Sequence, residues 1–316
     1  MNSKVLMKKA WLSYLTPFNK ILFVLMLVII GLIIAVFGGL LLIMIQYHAD
    51  LTKATLLLTD PNNPSSVFIL KELQIIQSVF LFIVPAFIAG ALFEKSATGY
   101  FGMNKIPSGR AFLIIFFLMM VSAPFISELV SLNEMMKLPS AFGGLEKWMK
   151  DTEEEAAQIT TKFLDVHSAG GFLVNMLMIA IIPALGEEMM FRGLLQRLLG
   201  EWFKNIHVAI FVTAFIFGAI HFQFYGLLPR MMLGVMFGYL YFWTGTLWAP
   251  VFAHFINNGT AVILSYLSNR GTIHANYENF GSTDNIFLII LSLVLTGFLL
   301  YRLFIINKRK TQEIML

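Results

Sequence analysis

Three groups of polar residues interrupt apolar stretches of this chain. The first, Gly186-Glu187-Glu188-Met189-Met190-Phe191-Arg192, directly follows the apolar run 176–185. The second pairs Phe217 with His221, which closes the run 208–220. The third is His254 with Asn258, in Pro250-Val251-Phe252-Ala253-His254-Phe255-Ile256-Asn257-Asn258. Ionisable groups at membrane depth cost roughly 2.5–3.5 kcal/mol each on insertion scales, so they mark a buried partner or a function. On a helix Glu188 and Arg192 are four residues apart with the acid first, the favourable order for an ion pair. Glu187 is turned about 100° away by the helical repeat and is left without that partner. Glu188 and Arg192 therefore read as a structural clasp, and Glu187 faces something else. His254 and Asn258 share one helical face, with Asn257 a close competitor. A carboxylate, two imidazoles and a carboxamide make a hydrolytic centre that needs no nucleophilic Ser or Cys. Glu187, helped by His221, can activate a water as general base, while His254 and Asn258 can donate to the developing oxyanion.

Each group also has a plainer reading. The acid–arginine pair can be only a structural ion pair, the single histidine an interfacial residue, and the His/Asn pair glue between helices. Their occurrence on apolar segments that lie close together in the chain weighs towards one site. Depth is a check on whether they meet. At about 1.5 Å per residue, His254 lies roughly 9 Å and Asn258 roughly 15 Å beyond Trp248, and Glu187 is expected in the same half of the membrane. His221 lies roughly 20 Å from Val208, and fits only if its helix is tilted or begins outside the hydrocarbon.

The elements that must position these residues are membrane spans. The chain is 58% hydrophobic and 13% charged, against roughly 45–50% and 25% in soluble domains. A span needs about 20 mostly apolar residues, and eight candidates emerge: 21–45, 75–93, 111–130, 171–185, 208–220, 231–243, 248–267 and 286–304. The expected fold is an all-α integral membrane protein, a bundle of about eight transmembrane helices. The first run is too long for a signal-peptide core and reads as a retained span. The chain has no cysteine, which removes thiolate catalysis, thiolate metal ligation and disulfides. Its scattered basic residues leave no nucleic-acid footprint, and no cofactor fingerprint or metal motif is present.

Orientation follows from Lys and Arg. With the N-terminus inside, the inner segments hold Lys4, Lys8, Lys9, Lys20, Lys95, Lys105, Arg110, Arg192, Arg197, Lys204, Arg302, Lys308, Arg309 and Lys310, fourteen of the 22. Both termini are therefore expected in the cytoplasm, in a bacterial inner membrane. Four regions are expected: a three-span region 1–131, a polar amphipathic insert 132–168, a four-span catalytic core 169–267, and a last region 268–316 with an external loop, the final span and a basic tail. In the insert Leu145, Trp148, Met149, Ala156, Ile159 and Phe163 recur at spacings of three, four or seven, predicting a helix that rests on the bundle or in the outer interface. A substrate-gating lid is the lesser reading. Asp60, Pro61, Asn62, Asn63 and Pro64 mark an external loop rich in turn formers. Gly234 and Gly238 form a G-x-x-x-G pattern suited to close helix packing.

Taken together, E-E-x-x-x-R at Glu187, Glu188 and Arg192, F-x-x-x-H at Phe217 and His221, and H-x-x-x-N at His254 and Asn258 resemble the CPBP family of intramembrane glutamic proteases. That group includes the CAAX prenyl endopeptidases and bacterial bacteriocin-processing or immunity proteins. The motifs stand in the family's order, and the similarity covers 171–267. The resemblance implies that Glu187 and His221 activate water and that His254 and Asn258 form the oxyanion hole. It further implies an intramembrane endopeptidase acting on a membrane-associated protein or peptide, in contact with the lipid bilayer and without a cofactor. Oligomeric state and substrate are left open. The rival readings are a metal-dependent membrane protease using Glu187, His221 and His254 as ligands, a non-catalytic immunity or scaffold protein, and a transporter.

Overall fold

The structure is a computed structural model that describes residues 10–59, 64–274 and 279–315. Lys4, Lys8, Lys9 and the turn formers Asp60, Pro61, Asn62 and Asn63 lie outside the described residues, as do the side chains of Pro64, Lys308, Arg309 and Lys310. Among the described residues all regular structure is helical. The helices are α1 (Pro17–Gln46), α2 (Leu51–Thr59), α3 (Ser65–Phe93), α4 (Ala97–Tyr100), α5 (Gly109–Glu134), α6 (Gly143–Leu164), α7 (Ala169–Phe203), α8 (Ile206–Ala219), α9 (Leu227–Thr244), α10 (Trp248–Asn269) and α11 (Ile286–Met315).

Local chemistry sets several starts. Thr16 caps α1 through the Asn19 amide, with Pro17 in the first turn. Ser108 caps α5 through Ala111 N, Ser168 caps α7 through Gly171 N, and Asn205 caps α8 through the His207 and Val208 amides. Each cap satisfies a donor that the first turn leaves open.

Five helices, α1, α3, α5, α7 and α11, are long and apolar enough to cross a membrane. The expected count of eight is not reached on that standard. All eight predicted runs fall on helices, but α8 has only 14 residues, and α9 and α10 are diluted by polar side chains such as Arg230, His254, Asn257 and Asn258. The fourth run is also longer than predicted. It extends over 35 residues rather than ending at 185, because Glu188 finds Arg192 one turn on and the helix carries straight through its polar stretch. Glu187 consequently sits near the middle of α7.

Two helices flank this core as lipid-facing walls. α1 buries only Gly31, Ala35, Gly39 and Ile43, and α11 exposes Phe287, Ile290, Val294 and Phe298. Apolar side chains turned outward over whole spans are what a hydrocarbon environment requires.

The hairpin α8–α9 is packed by glycine. A Cβ on Gly234 would stand 2.9 Å from Ala214 Cβ, and one on Gly238 would stand 2.8 Å from Ile210 Cγ2. The G-x-x-x-G pattern is thus a close-packing seam.

The insert forms the predicted helix, α6, although its apolar stripe remains partly open: Leu145, Trp148 and Ile159 are exposed and Leu164 is its one buried residue. It is held at discrete points. Trp148 packs on Phe224 with centroids 5.5 Å apart, and Glu153 accepts from Tyr225 N at 3.2 Å. At its C-terminus the buried Lys71 of α3 donates to Phe163 O at 2.8 Å and to Asn175 Oδ1 at 2.9 Å.

Candidate active site

α7 is not a uniform α-helix. Its turns widen to π geometry at Met176–Ile181 and again at Met189–Gln196, leaving only Ile182–Glu188 as a regular stretch between them. α3 widens in the same way at Val79–Ile83. Such bulges rotate the faces of a helix and recur at functional sites. Here they bracket the two glutamates, and Gly186 packs directly against Phe82 and Ile83 of the α3 bulge.

The two carboxylates point to different partners. Glu188 and Arg192 are both wholly buried and joined by a 2.7 Å bond from Arg192 Nη1 to Glu188 Oε1. Nη2 lies 3.2 Å from Gly234 O, and the rings of Phe217 and Phe237 stand at 4.6 and 5.3 Å. Two aromatic rings and a carboxylate thus face the buried cation, while Arg192 Nε and Glu188 Oε2 have no hydrogen-bond partner among the described residues. The expected clasp is present.

Glu188 also does something that helical spacing did not reveal. The same Oε1 accepts from His254 Nδ1 at 2.9 Å. With a carboxylate oxygen as acceptor, Nδ1 is the donor in this bond, and Nε2 is turned the other way. There it lies 3.1 Å from Asn258 Nδ2 and 3.9 Å from Glu187 Oε2. His254 stacks on Phe237, with centroids 5.5 Å apart. Asn258 spends its amide hydrogens on His254 Nε2 and on Ile179 O at 2.9 Å, and its Oδ1 accepts from Asn257 Nδ2 at 3.1 Å. The bulge at Met176–Ile181 contributes the Ile179 carbonyl. Asn257, the competing asparagine of the sequence, thus orients Asn258.

His221 stands in the turn just beyond α8, and the following Phe222 takes a left-handed φ of 53°. Its Nδ1 lies 2.7 Å from Phe217 O, the carbonyl one turn back. That bond assigns Nδ1 as donor and leaves Nε2 as an acceptor. The depth difficulty disappears in the hairpin. α7 and α8 are joined at Lys204 and Asn205, and Glu187 precedes that turn by about as many residues as His221 follows it.

Glu187 and His221 both line one cavity of about 510 Å³, walled by α1, α3 and α7. His254 and Asn258 are not among its lining residues, although His254 Nε2 lies 3.9 Å from Glu187 Oε2. Its other polar lining residues, Gln74, Gln77 and Ser78 of α3, were missed from the sequence. The signal was present, as polar residues at i, i+3 and i+4 in an apolar run. Among the described residues no three His, Cys, Asp or Glu side chains are grouped to hold a metal ion.

Comparison with known proteins bears on the same segment. Residues 169–260 match the family model described as type II CAAX prenyl endopeptidase Rce1-like. Two proteins of Bacillus subtilis (strain 168) are similar to this chain. The uncharacterized protein YpbD is 31% identical over 114 residues, covering 35% of this chain and 53% of YpbD. The protein named "Putative membrane peptidase YdiL" is 30% identical over 119 residues, covering 36% of this chain and 48% of YdiL. The similarity therefore spans about half the length of either relative. No solved structure matches. The resemblance read from the three motifs is met over the segment that carries all of them.

Proposed function

We propose that this chain is an intramembrane endopeptidase of the glutamic type, working in a bacterial inner membrane with both termini in the cytoplasm. The observation that carries the reading is the arrangement around Glu187. Its carboxylate shares a cavity with His221 on one side and lies 3.9 Å from His254 Nε2 on the other. Arg192 is paired with Glu188 and not with Glu187.

In this mechanism a water held between Glu187 and His221 Nε2 gives its proton to Glu187 as its oxygen attacks the peptide carbonyl carbon. The oxyanion that forms is stabilised by His254 and Asn258. For this His254 first takes a proton from solvent at Nε2 and keeps it through the cycle, its charge supported by Glu188 at Nδ1, and the Asn258 N–H that was directed at Nε2 turns to the oxyanion. Collapse of the intermediate breaks the C–N bond, and Glu187 returns the proton to the leaving amine. Water consumed and two peptide ends released balance the reaction.

The substrate class is a membrane-associated protein or peptide, which reaches a cavity lined mainly by apolar side chains. The test is incubation of the purified protein in detergent with a peptide library, with products read by mass spectrometry. Parental protein should give discrete internal cleavages. Glu187→Gln keeps size and hydrogen bonding but removes the base, so it should lower the rate by about a hundredfold or more with an unchanged melting temperature. Cleavage at the parental rate by that variant would refute the mechanism.

A further inference from the structure

The α3 wall of the cavity that holds Glu187 carries three polar side chains. Gln74, Gln77 and Ser78 lie on α3 at i, i+3 and i+4, so they share one face. All three line the cavity that holds Glu187 and His221. Gln74 and Gln77 are exposed to it, and Ser78 is buried at 5% exposure without the capping bond its place at the start of the α3 bulge would allow. Among the described residues none of the three side chains has a hydrogen-bond partner. The remaining lining side chains, apart from Glu187 and His221, are apolar: Val24, Val28, Leu81, Phe82 and Leu194 are typical.

A peptide bond is open to attack by water only when its segment is unwound. Unwinding within a membrane strips N–H and C=O groups of their helical partners, with no solvent to replace them. The site must then supply partners itself. A carboxamide is suited to this, because it offers an acceptor oxygen and two donor hydrogens and so can bind together the N–H and C=O of one extended residue, which point to the same side.

We propose that Gln74 and Gln77, with Ser78 beside them, bind the main chain of an extended substrate segment and hold its scissile carbonyl towards Glu187. The substrate class is accordingly an apolar polypeptide segment, recognised through its backbone on the α3 side and through large apolar side chains that enter the pocket between α1 and α7. This rests on the protease reading and names how that site holds its substrate.

The experiment uses the full chain in detergent and the most rapidly cleaved peptide of the library, together with copies in which single backbone amides beside the scissile bond are replaced by esters. Gln74→Leu and Gln77→Leu should each lower kcat/KM by about tenfold, with parental melting temperatures, since leucine suits an apolar cavity. The decisive readout is coupling. One ester position should slow cleavage by the parental protein and have no further effect in one of the glutamine variants, a result that a merely structural role would not give. If both variants keep the parental kcat/KM, or if every ester effect is the same in parent and variants, the proposal is overturned. In that event a Glu187→Gln enzyme that is inactive would leave the protease reading intact, so the two failures are distinguishable.

Discussion

Glu187 and Glu188 are adjacent in sequence and separate in chemistry. One faces a cavity and the other is wholly buried between a guanidinium and an imidazole. Glu188→Gln leaves Arg192 charged among Phe217, Phe237 and Gly234 without its bonded carboxylate, and removing one member of such a pair costs about 3–5 kcal/mol. A large fall in melting temperature is the expected outcome. The double variant Glu188→Gln/Arg192→Met removes both charges and should be markedly more stable than Glu188→Gln alone. Equal melting temperatures for the single and double variants would show that the unpaired charge is not the cause. Because Glu188 also fixes the His254 ring, the folded fraction of the double variant should remain slow. Restored stability with restored activity would reduce Glu188 to a clasp and nothing more.

At the scale of elements, the site depends on how closely α8, α9 and α7 approach. Gly234 is the pivot: its missing side chain admits Ala214, and its carbonyl accepts from Arg192. Gly234→Ala would force the helices apart, and overpacking of this kind costs about 1–3 kcal/mol. Thermal melting in one detergent checks this, and an unchanged midpoint would show that the seam yields freely. The attachment of α6 is a different device. Lys71 ties the α6 C-terminus to α3 and α7 through two bonds at a buried position, with Asn175 Nδ2 adding a third to Phe163 O at 2.7 Å. Lys71→Met should loosen that end of α6 while the spans stay folded. Limited proteolysis reads it: cleavage within 135–168 should become several-fold faster, and an unaltered digestion pattern would place the anchor elsewhere.

For the whole molecule, orientation is the property most directly open to test. The proposed arrangement sets both termini in the cytoplasm, on the bias of Lys and Arg towards the inner segments. A phosphatase or fluorescent reporter fused after Leu316 should behave as a cytoplasmic fusion. External activity would reverse the placement and with it the side from which water and product move. The even number of crossings this requires includes α8, α9 and α10, which are weak spans by length and polarity; α9 and α10 pack against α5, and α8 packs between α7 and α9. Helices shielded by protein can carry polar groups that a lipid-facing span cannot.

How much of this was legible in the sequence differs from residue to residue. The helical class, the location of the apolar runs and the Glu188–Arg192 bond follow from local periodicity. A four-residue spacing on a helix brings two side chains together whatever the rest of the chain does. The grouping of Glu187, His221, His254 and Asn258 was suggested by motif order, yet its geometry was not accessible. Glu188 meets His254 across 66 residues and Asn258 meets Ile179 O across 79, and no periodicity records which faces of two helices turn inward. Nor does a fixed repeat apply where π turns rotate α7 and α3 beside the site. The antiparallel α7–α8 turn brought His221 level with Glu187, and the packing of α3 set Gln74 and Gln77 on the same cavity. Sequence fixes what each turn of helix can offer; only the packing of helices, through contacts between distant residues, decides which of those offers meet.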